Sequence, residues 1–387
     1  VVLTAEPVLP AVPQGRRRYL FCIKVISMKP SEVLCVDTTS DKPDLKNMTL
    51  DEIESFIAGL GKQKYRAQQI MKWMHQAGVT SFDEMSNLSK TFRAEIESQV
   101  RISSLIIEKI QASRDGTKKI LFRLEDNNCI ESVLIREKNH WTLCMSTQVG
   151  CQMGCRFCLT GKGGFTRNLL PSEIVDQITM ARFNTPEGDN IKNIVMMGMG
   201  EPLANYKNTV QAIKIITNDY GPAVSPRKVT VSTCGIVPMI EHLGNDTPVN
   251  LAVSLNASDN ETRNMLMPIN RIYPIESLIE ACRTFPMPRR RRITFEYILI
   301  AGVNDSPNDA ERLARIMKGV PCKFNLIPFN EYPESEFTTP GDERIDAFQN
   351  VLIKHRYTAV TRKSKGRDIL AACGQLRGQV EKHENVS

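Results

Sequence analysis

Three cysteines, Cys151, Cys155 and Cys158, stand at C-x-x-x-C-x-x-C spacing, with Phe157 just before the last thiol. Three soft thiolates this close in sequence can hold three irons of a four-iron cluster and leave the fourth iron without a protein ligand. The amino and carboxylate groups of S-adenosylmethionine can chelate that open iron. One electron from the cluster then breaks the sulfonium bond and releases a 5′-deoxyadenosyl radical. A structural zinc site needs four ligands, and no other cysteine or histidine lies near enough in sequence to be an obvious fourth. An electron-transfer ferredoxin also takes a full set of four thiolates. A second segment, residues 197–202, reads M-G-M-G-E-P. Gly198 and Gly200 would let backbone approach a ligand, and Glu201 could hold its amino group. A dinucleotide-binding loop fits poorly there, because Glu201 and Pro202 stand where the third glycine and the helix start belong.

The elements that must position these groups follow from composition and periodicity. A 387-residue chain that is 41% hydrophobic can bury a large α/β unit plus a smaller module. Its net charge of +7 permits nucleic acid as a partner without requiring it. Eleven unevenly spaced cysteines are too sparse for a disulfide scaffold and point to metal or thiol chemistry in a reducing compartment, so a cytoplasmic enzyme is expected. No apolar run is long enough to cross a bilayer, and no membrane partner is expected.

Residues 1–46 show no periodic pattern and are expected to be a disordered or non-native extension. Arg16, Arg17 and Arg18 precede a short apolar run, but Lys24 interrupts it and no small-residue cleavage site follows, which argues against an export signal. Residues 47–100 read as an all-helical accessory domain. Thr49 is a candidate N-cap, Ile53, Phe56, Ile57 and Leu60 fall at helical spacing, and Gly61 is a stop. A second helix over 65–76 buries Ile70, Trp73 and Met74, and a third follows the segment 86–89. Residues 101–140 hold a β-hairpin, with strands around Ile120–Leu124 and Ile130–Ile135 joined at Asp126, Asn127 and Asn128. From residue 141 to 361 strand and helix patterns alternate in about six units, which implies a parallel sheet, either doubly wound or a partial barrel, with functional groups after the strands' carboxyl ends. Residues 362–387 form a C-terminal segment.

The string C-M-S-T-Q-V-G-C-Q-M-G-C-R-F-C over residues 144–158, followed by Gly164, Phe165, Arg167 and Asn168, strongly resembles the RlmN family. Residues 368–377, D-I-L-A-A-C-G-Q-L-R, carry a second match, and matches run from about Asn47 to Gln379. Members of that family are radical methyltransferases acting on carbon 2 of an adenine in 23S ribosomal RNA, in the peptidyl transferase centre, and of the adenine 3′ to the anticodon in some transfer RNAs. The resemblance implies an α/β fold: a partial (β/α)6 radical-SAM barrel with the helical accessory domain and the hairpin as extensions. It also implies one 4Fe-4S cluster with an open iron, two S-adenosylmethionine molecules per methyl transferred, a low-potential donor such as flavodoxin or ferredoxin, and a monomeric enzyme.

Carbon 2 of adenine offers no nucleophilic lone pair, so a carbon radical is a better reagent there than a methyl cation. The resemblance implies that Cys373 accepts a methyl group from one S-adenosylmethionine. A radical from a second molecule takes hydrogen from that methyl group, and the thiomethylene radical adds to adenine. Cys144 then attacks the Cys373 sulfur, releases the product and leaves a disulfide to be reduced. Glu131, thirteen residues before Cys144, matches the family's general base, with Glu137 as the rival on the same hairpin. The plain alternative for both thiols is a buried core position. Contacts to S-adenosylmethionine carry over as Gly200, Glu201, Ser232, Ser254, Leu255, Asn256 and Asn330, although the family more often has histidine at position 256. Two basic runs are candidates for RNA phosphate: Arg289 to Arg292, and Arg362, Lys363, Lys365 and Arg367 beside the Cys373 motif. Three rivals share parts of this pattern: a carbon-8 methylase of the same rRNA adenine, an activase that generates a glycyl radical on a protein, and an RNA-binding assembly factor whose cluster is structural.

Overall fold

The computed structural model describes residues 42–287, 291–333 and 335–378. Residues 1–41, Arg289, Arg290 and Gln379, each named in the sequence reading, lie outside the described residues.

The helical module forms where its punctuation requires. Helix α1 (Leu50–Gly59) opens on a capping box in which the Thr49 N–H donates to Glu52 Oε2 at 2.7 Å. It closes before Gly61, whose φ of 69° suits glycine. Helices α2 (Tyr65–Gln76) and α3 (Lys90–Glu97) follow, and Ile53, Ile57, Ile70, Met74, Phe92 and Ile96 make one apolar core. Trp73 is only half-buried, contrary to expectation, because its indole N–H reaches out to Asn87 Oδ1 at 2.7 Å. The 1–46 boundary also runs too far. Asp44, Leu45 and Lys46 are buried, a 3-10 turn spans Leu45–Asn47, and Lys46 Nζ lies 2.6 Å from Asp176 Oδ1.

The hairpin of 101–140 is part of something larger. Strands β1 (Ile106–Ala112), β2 (Lys118–Arg123) and β3 (Cys129–Arg136) form an antiparallel set, and β3 pairs with β4 (Trp141–Cys144). The linker is therefore an edge extension of the main sheet. Beyond β4 the chain makes a small ribbon of β5 (Gln148–Gly150) and β6 (Phe165–Asn168), with the short helix α4 (Leu159–Lys162) between them.

The main sheet continues with β7 (Ile191–Met196), β8 (Val229–Thr233), β9 (Asn250–Ser254), β10 (Ile293–Leu299), β11 (Cys322–Pro328) and β12 (Thr358–Thr361). From β4 onward each strand pairs in parallel with the next in chain order. A doubly wound sheet reverses its strand order at a switch point; this one never does, so it winds one way as a partial barrel. Strand β12 is a seventh parallel strand that the sequence reading did not count. Crossovers run through α5 (Pro171–Asn184), α6 (Tyr206–Thr217), α7 (Val237–Asp246), α8 (Asn260–Leu266), α9 (Ile275–Thr284), α10 (Pro307–Ile316) and α11 (Asp342–Lys354). Ile194, Val231, Leu251, Val253, Phe295 and Phe324 lie in register on one face of the sheet and are buried there, while Ser232, Ser254 and Glu296 on the other face line a cavity.

Candidate active site

One open cavity, with a volume of about 190 Å³, lies at the carboxyl ends of the parallel strands. Its wall includes Cys144, Cys151, Cys155, Cys158, Gly200, Glu201, Ser232, Ser254, Asn330 and Cys373. Residues up to 229 positions apart in sequence thus meet in one place.

The three spaced cysteines sit on the loop between β5 and α4. That loop is fixed by the Cys151 N–H donating to Gly164 O at 2.7 Å, the Cys158 N–H to Cys155 O at 3.1 Å, and the Arg156 N–H to Leu266 O at 3.0 Å. Burial pushes the Cys151 thiol up to about 12 and the Cys155 thiol well above its ordinary value, where Cys158 and Cys151 add like charge. Burial raises Cys158 as well, against backbone and side-chain donors from Gly161 and Thr160. Among the described residues no three Cys, His, Asp or Glu side chains converge on one metal ion. A four-iron cluster instead takes thiolates at separate corners, and three cysteines spread along one cavity wall suit it.

The M-G-M-G-E-P segment after β7 is held backbone to backbone. A Cβ on Gly198 would stand 2.7 Å from Met145 O, and one on Gly200, at φ 99°, would stand 2.5 Å from Gln148 Cβ. Gln148 Oε1 accepts the Glu201 N–H at 2.8 Å. The Glu201 carboxylate is buried, accepting the Cys234 N–H at 2.7 Å and the Leu203 N–H at 3.0 Å. Burial lifts its pKa while those donors oppose the rise. Asn330 donates to Cys373 O at 3.2 Å, and its buried Oδ1, with no partner among the described residues, remains to accept from a ligand. Together these groups fit S-adenosylmethionine: a carboxylate for its amino group, an orphaned amide oxygen, and glycines that keep the wall bare.

The C-terminal segment brings Cys373 to this wall. The Leu159 N–H donates to Gly374 O and Thr160 Oγ1 to Leu376 O, each at 2.7 Å, while Glu131 Oε2 accepts the N–H groups of Arg377 and Gly378 at 2.8 and 3.1 Å. Cys373 is exposed at the cavity mouth. Its crowded surroundings push the thiol up, the Arg362 charge opposes this, and the Glu296 charge adds to it. Cys144, at the end of β4, is buried, and that burial together with the charge of Cys373 pushes it up to about 12.

Not every expected group faces the cavity. Glu131 is buried and bound by Lys119 Nζ at 3.0 Å as well as by the C-terminal segment, and it is not among the lining residues. Leu255 packs in the core. Asn256 accepts the Ile298 N–H at 2.8 Å and takes a φ of 59°, so it ties the end of β9 to β10. Glu137 lines a separate depression that also touches Cys144 and Cys373. Of the basic runs, Arg362, Lys363 and Lys365 line the cavity. Arg291 and Arg292 bond to Pro248 O and Thr358 Oγ1 at the strands' amino ends, away from it.

Sequence reasoning missed Glu296. It is a buried carboxylate in the cavity wall, accepting from Asn325 Nδ2 at 2.9 Å, with burial raising its pKa against Arg362. A single charged residue inside the apolar strand I-T-F-E-Y-I-L was the available signal.

Residues 43–102 match the family model for the ribosomal RNA large subunit methyltransferase N-terminal domain, and residues 145–314 match the radical SAM superfamily. The chain is 60% identical over 336 residues to a dual-specificity RNA methyltransferase RlmN from Syntrophus aciditrophicus, covering 87% of this chain and 97% of the relative. It is 53% identical to the protein of the same name from Geotalea uraniireducens, covering 88% and 98%. The crystal structure of a radical SAM methyltransferase from Sphaerobacter thermophilus superimposes with a TM-score of 0.82 at 43% identity, covering 87% of this chain and all of the other.

Proposed function

This chain belongs to the RlmN family of radical SAM RNA methyltransferases, and we propose that it methylates carbon 2 of an adenine in 23S ribosomal RNA, in the peptidyl transferase centre, and of the adenine 3′ to the anticodon in some transfer RNAs. The observation that carries this reading is the shared cavity wall of Cys144, Cys373 and the three spaced cysteines. An enzyme that only made a radical would need the three; Cys373 gives the radical a methyl group to act on, and Cys144 releases the product.

When bound by Cys151, Cys155 and Cys158, a four-iron cluster with one open iron supplies the electron that splits S-adenosylmethionine. Glu201 and Asn330 hold that ligand, with Gly200, Ser232 and Ser254 shaping its bed and Leu255 and Asn256 supporting the bed from behind. Cys373 gives up its thiol proton and bonds the methyl carbon of a first S-adenosylmethionine as the carbon–sulfonium bond breaks, the electron pair staying on the departing sulfur. Arg362 favours the thiolate in that step. A second S-adenosylmethionine is used for each methyl group delivered. Once a methylene bridge joins the Cys373 sulfur to adenine, the ring adduct loses one electron, for which the oxidised cluster would be the acceptor, and one proton, which Glu131 takes. The Cys144 sulfur then bonds to that of Cys373 as the sulfur–methylene bond breaks, and the carbon takes up a proton. Two external thiols, which end joined as a disulfide, supply the two electrons and two protons that restore Cys144 and Cys373. Glu296 is the second candidate for the base, because its carboxylate lines the cavity whereas that of Glu131 is occupied by Lys119, Arg377 and Gly378. Arg362, Lys363 and Lys365 receive the RNA backbone at the mouth, and the helical module over 47–100 grips RNA shape. A flavodoxin or ferredoxin of low potential delivers electrons to a monomeric enzyme.

The test is Cys144→Ala. It should accumulate a covalent protein–RNA adduct on denaturing gels, which Cys144→Ala/Cys373→Ala should lack. Cleavage of S-adenosylmethionine without any adduct would overturn the resolving role.

A further inference from the structure

Arg263, on α8, is wholly buried, yet its guanidinium meets only neutral oxygens. Nε donates to Leu255 O at 3.0 Å, Nη1 to Asn270 Oδ1 at 2.9 Å, and Nη2 to Cys234 O at 2.7 Å and Ser254 O at 3.3 Å. Among the described residues no carboxylate comes within ion-pair distance of it. A guanidinium stays protonated even when burial pulls its pKa down, as it does here. A desolvated charge with no counter-charge is destabilising, and the hydrogen bonds offset only part of that.

Its position suggests where the missing negative charge arises. The fork bridges the carboxyl ends of β8 and β9, where Cys234 and Ser254 line the cavity. The loop carrying Cys155 hangs from the same helix, since the Arg156 N–H bonds to Leu266 O and Leu266 lies three residues beyond Arg263. Cys155, Cys234, Leu266 and Met267 pack in one apolar cluster. The loop at Gly235, with φ 109°, has no room to spare beside the fork, as a Cβ there would stand 3.4 Å from Nη2. A negative charge formed at Cys234, Cys155 or Cys282 would act on Arg263, at Cys234 most strongly. Only Cys155 among them belongs to the spaced trio.

We propose that Arg263 is the built-in counter-charge of the iron–sulfur site, offsetting the thiolate at Cys155 and favouring the reduced cluster. This rests on the assignment of Cys151, Cys155 and Cys158 as cluster ligands. Arg263 is a positioning residue and touches no substrate. One-electron reduction adds negative charge to the site, so a fixed positive charge nearby raises the reduction potential and its loss lowers it.

The experiment is an EPR-monitored redox titration, with dithionite as the electron source, of anaerobically reconstituted wild type, Arg263→Gln and Arg263→Lys. Arg263→Gln should shift the midpoint to more negative potential and reduce the iron held per chain, and Arg263→Lys should restore most of both. A Gln variant with wild-type potential and full iron would overturn the inference, and so would a Lys variant displaced as far as Gln. A second comparison avoids the cluster and any folding failure at position 263. In apoprotein, Cys155→Asp should melt above its neutral isostere Cys155→Asn, because the new carboxylate answers Arg263; an Asp variant melting at or below Asn would overturn the proposal. Wild type that takes up no iron would refute the cluster assignment instead, while the Asp and Asn pair would still judge the counter-charge.

Discussion

Lys46 and Asp176 form a buried ion pair at 2.6 Å, with side chains 1% and 2% exposed, and Asp176 Oδ2 also accepts the Leu105 N–H at 2.8 Å. One carboxylate therefore ties the turn before α1 and the approach to β1 onto α5. Replacing Lys46 with Met leaves that carboxylate buried without its cation, which should cost about 3–5 kcal/mol. Asp176→Leu strands the ammonium for a similar cost and also leaves the Leu105 N–H unsatisfied, adding about 1–3 kcal/mol. The double variant Lys46→Met/Asp176→Leu removes both charges and keeps only the amide penalty, so it should be more stable than either single variant. Guanidinium unfolding followed by circular dichroism supplies the double-mutant cycle, with an expected coupling of about 3 kcal/mol or more. Single variants that each lose less than about 1 kcal/mol would place the pair in the weak class of exposed salt bridges. A double variant losing the sum of the singles would show that the two groups do not act as a pair. Either result would refute the reasoning.

Two other perturbations bear on the fold and the site. His75 is wholly buried, and burial, followed by the charges of Lys46 and Arg182, pushes its pKa from the ordinary 6.5 down to about 3. The unfolded chain binds that proton first, so stability should fall as pH drops from 6.5 toward 3, and His75→Phe should flatten that part of a plot of unfolding free energy against pH; an unchanged slope would contradict it. Gly200→Ala drives a Cβ into Gln148 at a positive φ, displacing the amide that holds the Glu201 N–H. A strain of about 1–3 kcal/mol should weaken S-adenosylmethionine binding by calorimetry on the order of 10- to 100-fold with iron content unchanged, and equal affinity would remove Gly200 from the site.

What the sequence revealed divides along physical lines. The helical module was legible almost to the residue because Thr49, Glu52 and Gly61 are local signals that act within one turn. Strand β1 escaped notice because I-I-E-K-I-Q-A is largely exposed and lacks a clean alternation, and β12 because T-A-V-T is too short to show a period. Doubly wound sheet and partial barrel share one strand and helix pattern; only the pairing order separates them, and pairing is a long-range property. Within the site, the spaced cysteines, Glu201 and Cys373 stood out through their motifs. Glu296 and Arg263 did not, because a charge in a strand or helix looks solvated until the fold buries it. Glu131 was expected as a base from its place before Cys144, and the hydrogen bonds that draw its carboxylate toward Arg377 and Gly378, from a segment nearly 250 residues away, could not be read there.

The central claim is that the thiols beside the cluster loop direct a radical to carbon 2 of adenine in RNA. The most direct measurement is mass spectrometry of nucleosides digested from 23S ribosomal RNA and transfer RNA after reaction with the reconstituted enzyme, S-adenosylmethionine and a reductant. The account predicts 2-methyladenosine, dependent on both Cys144 and Cys373. The appearance of 8-methyladenosine instead, or 2-methyladenosine formed equally well by Cys373→Ala, would contradict it.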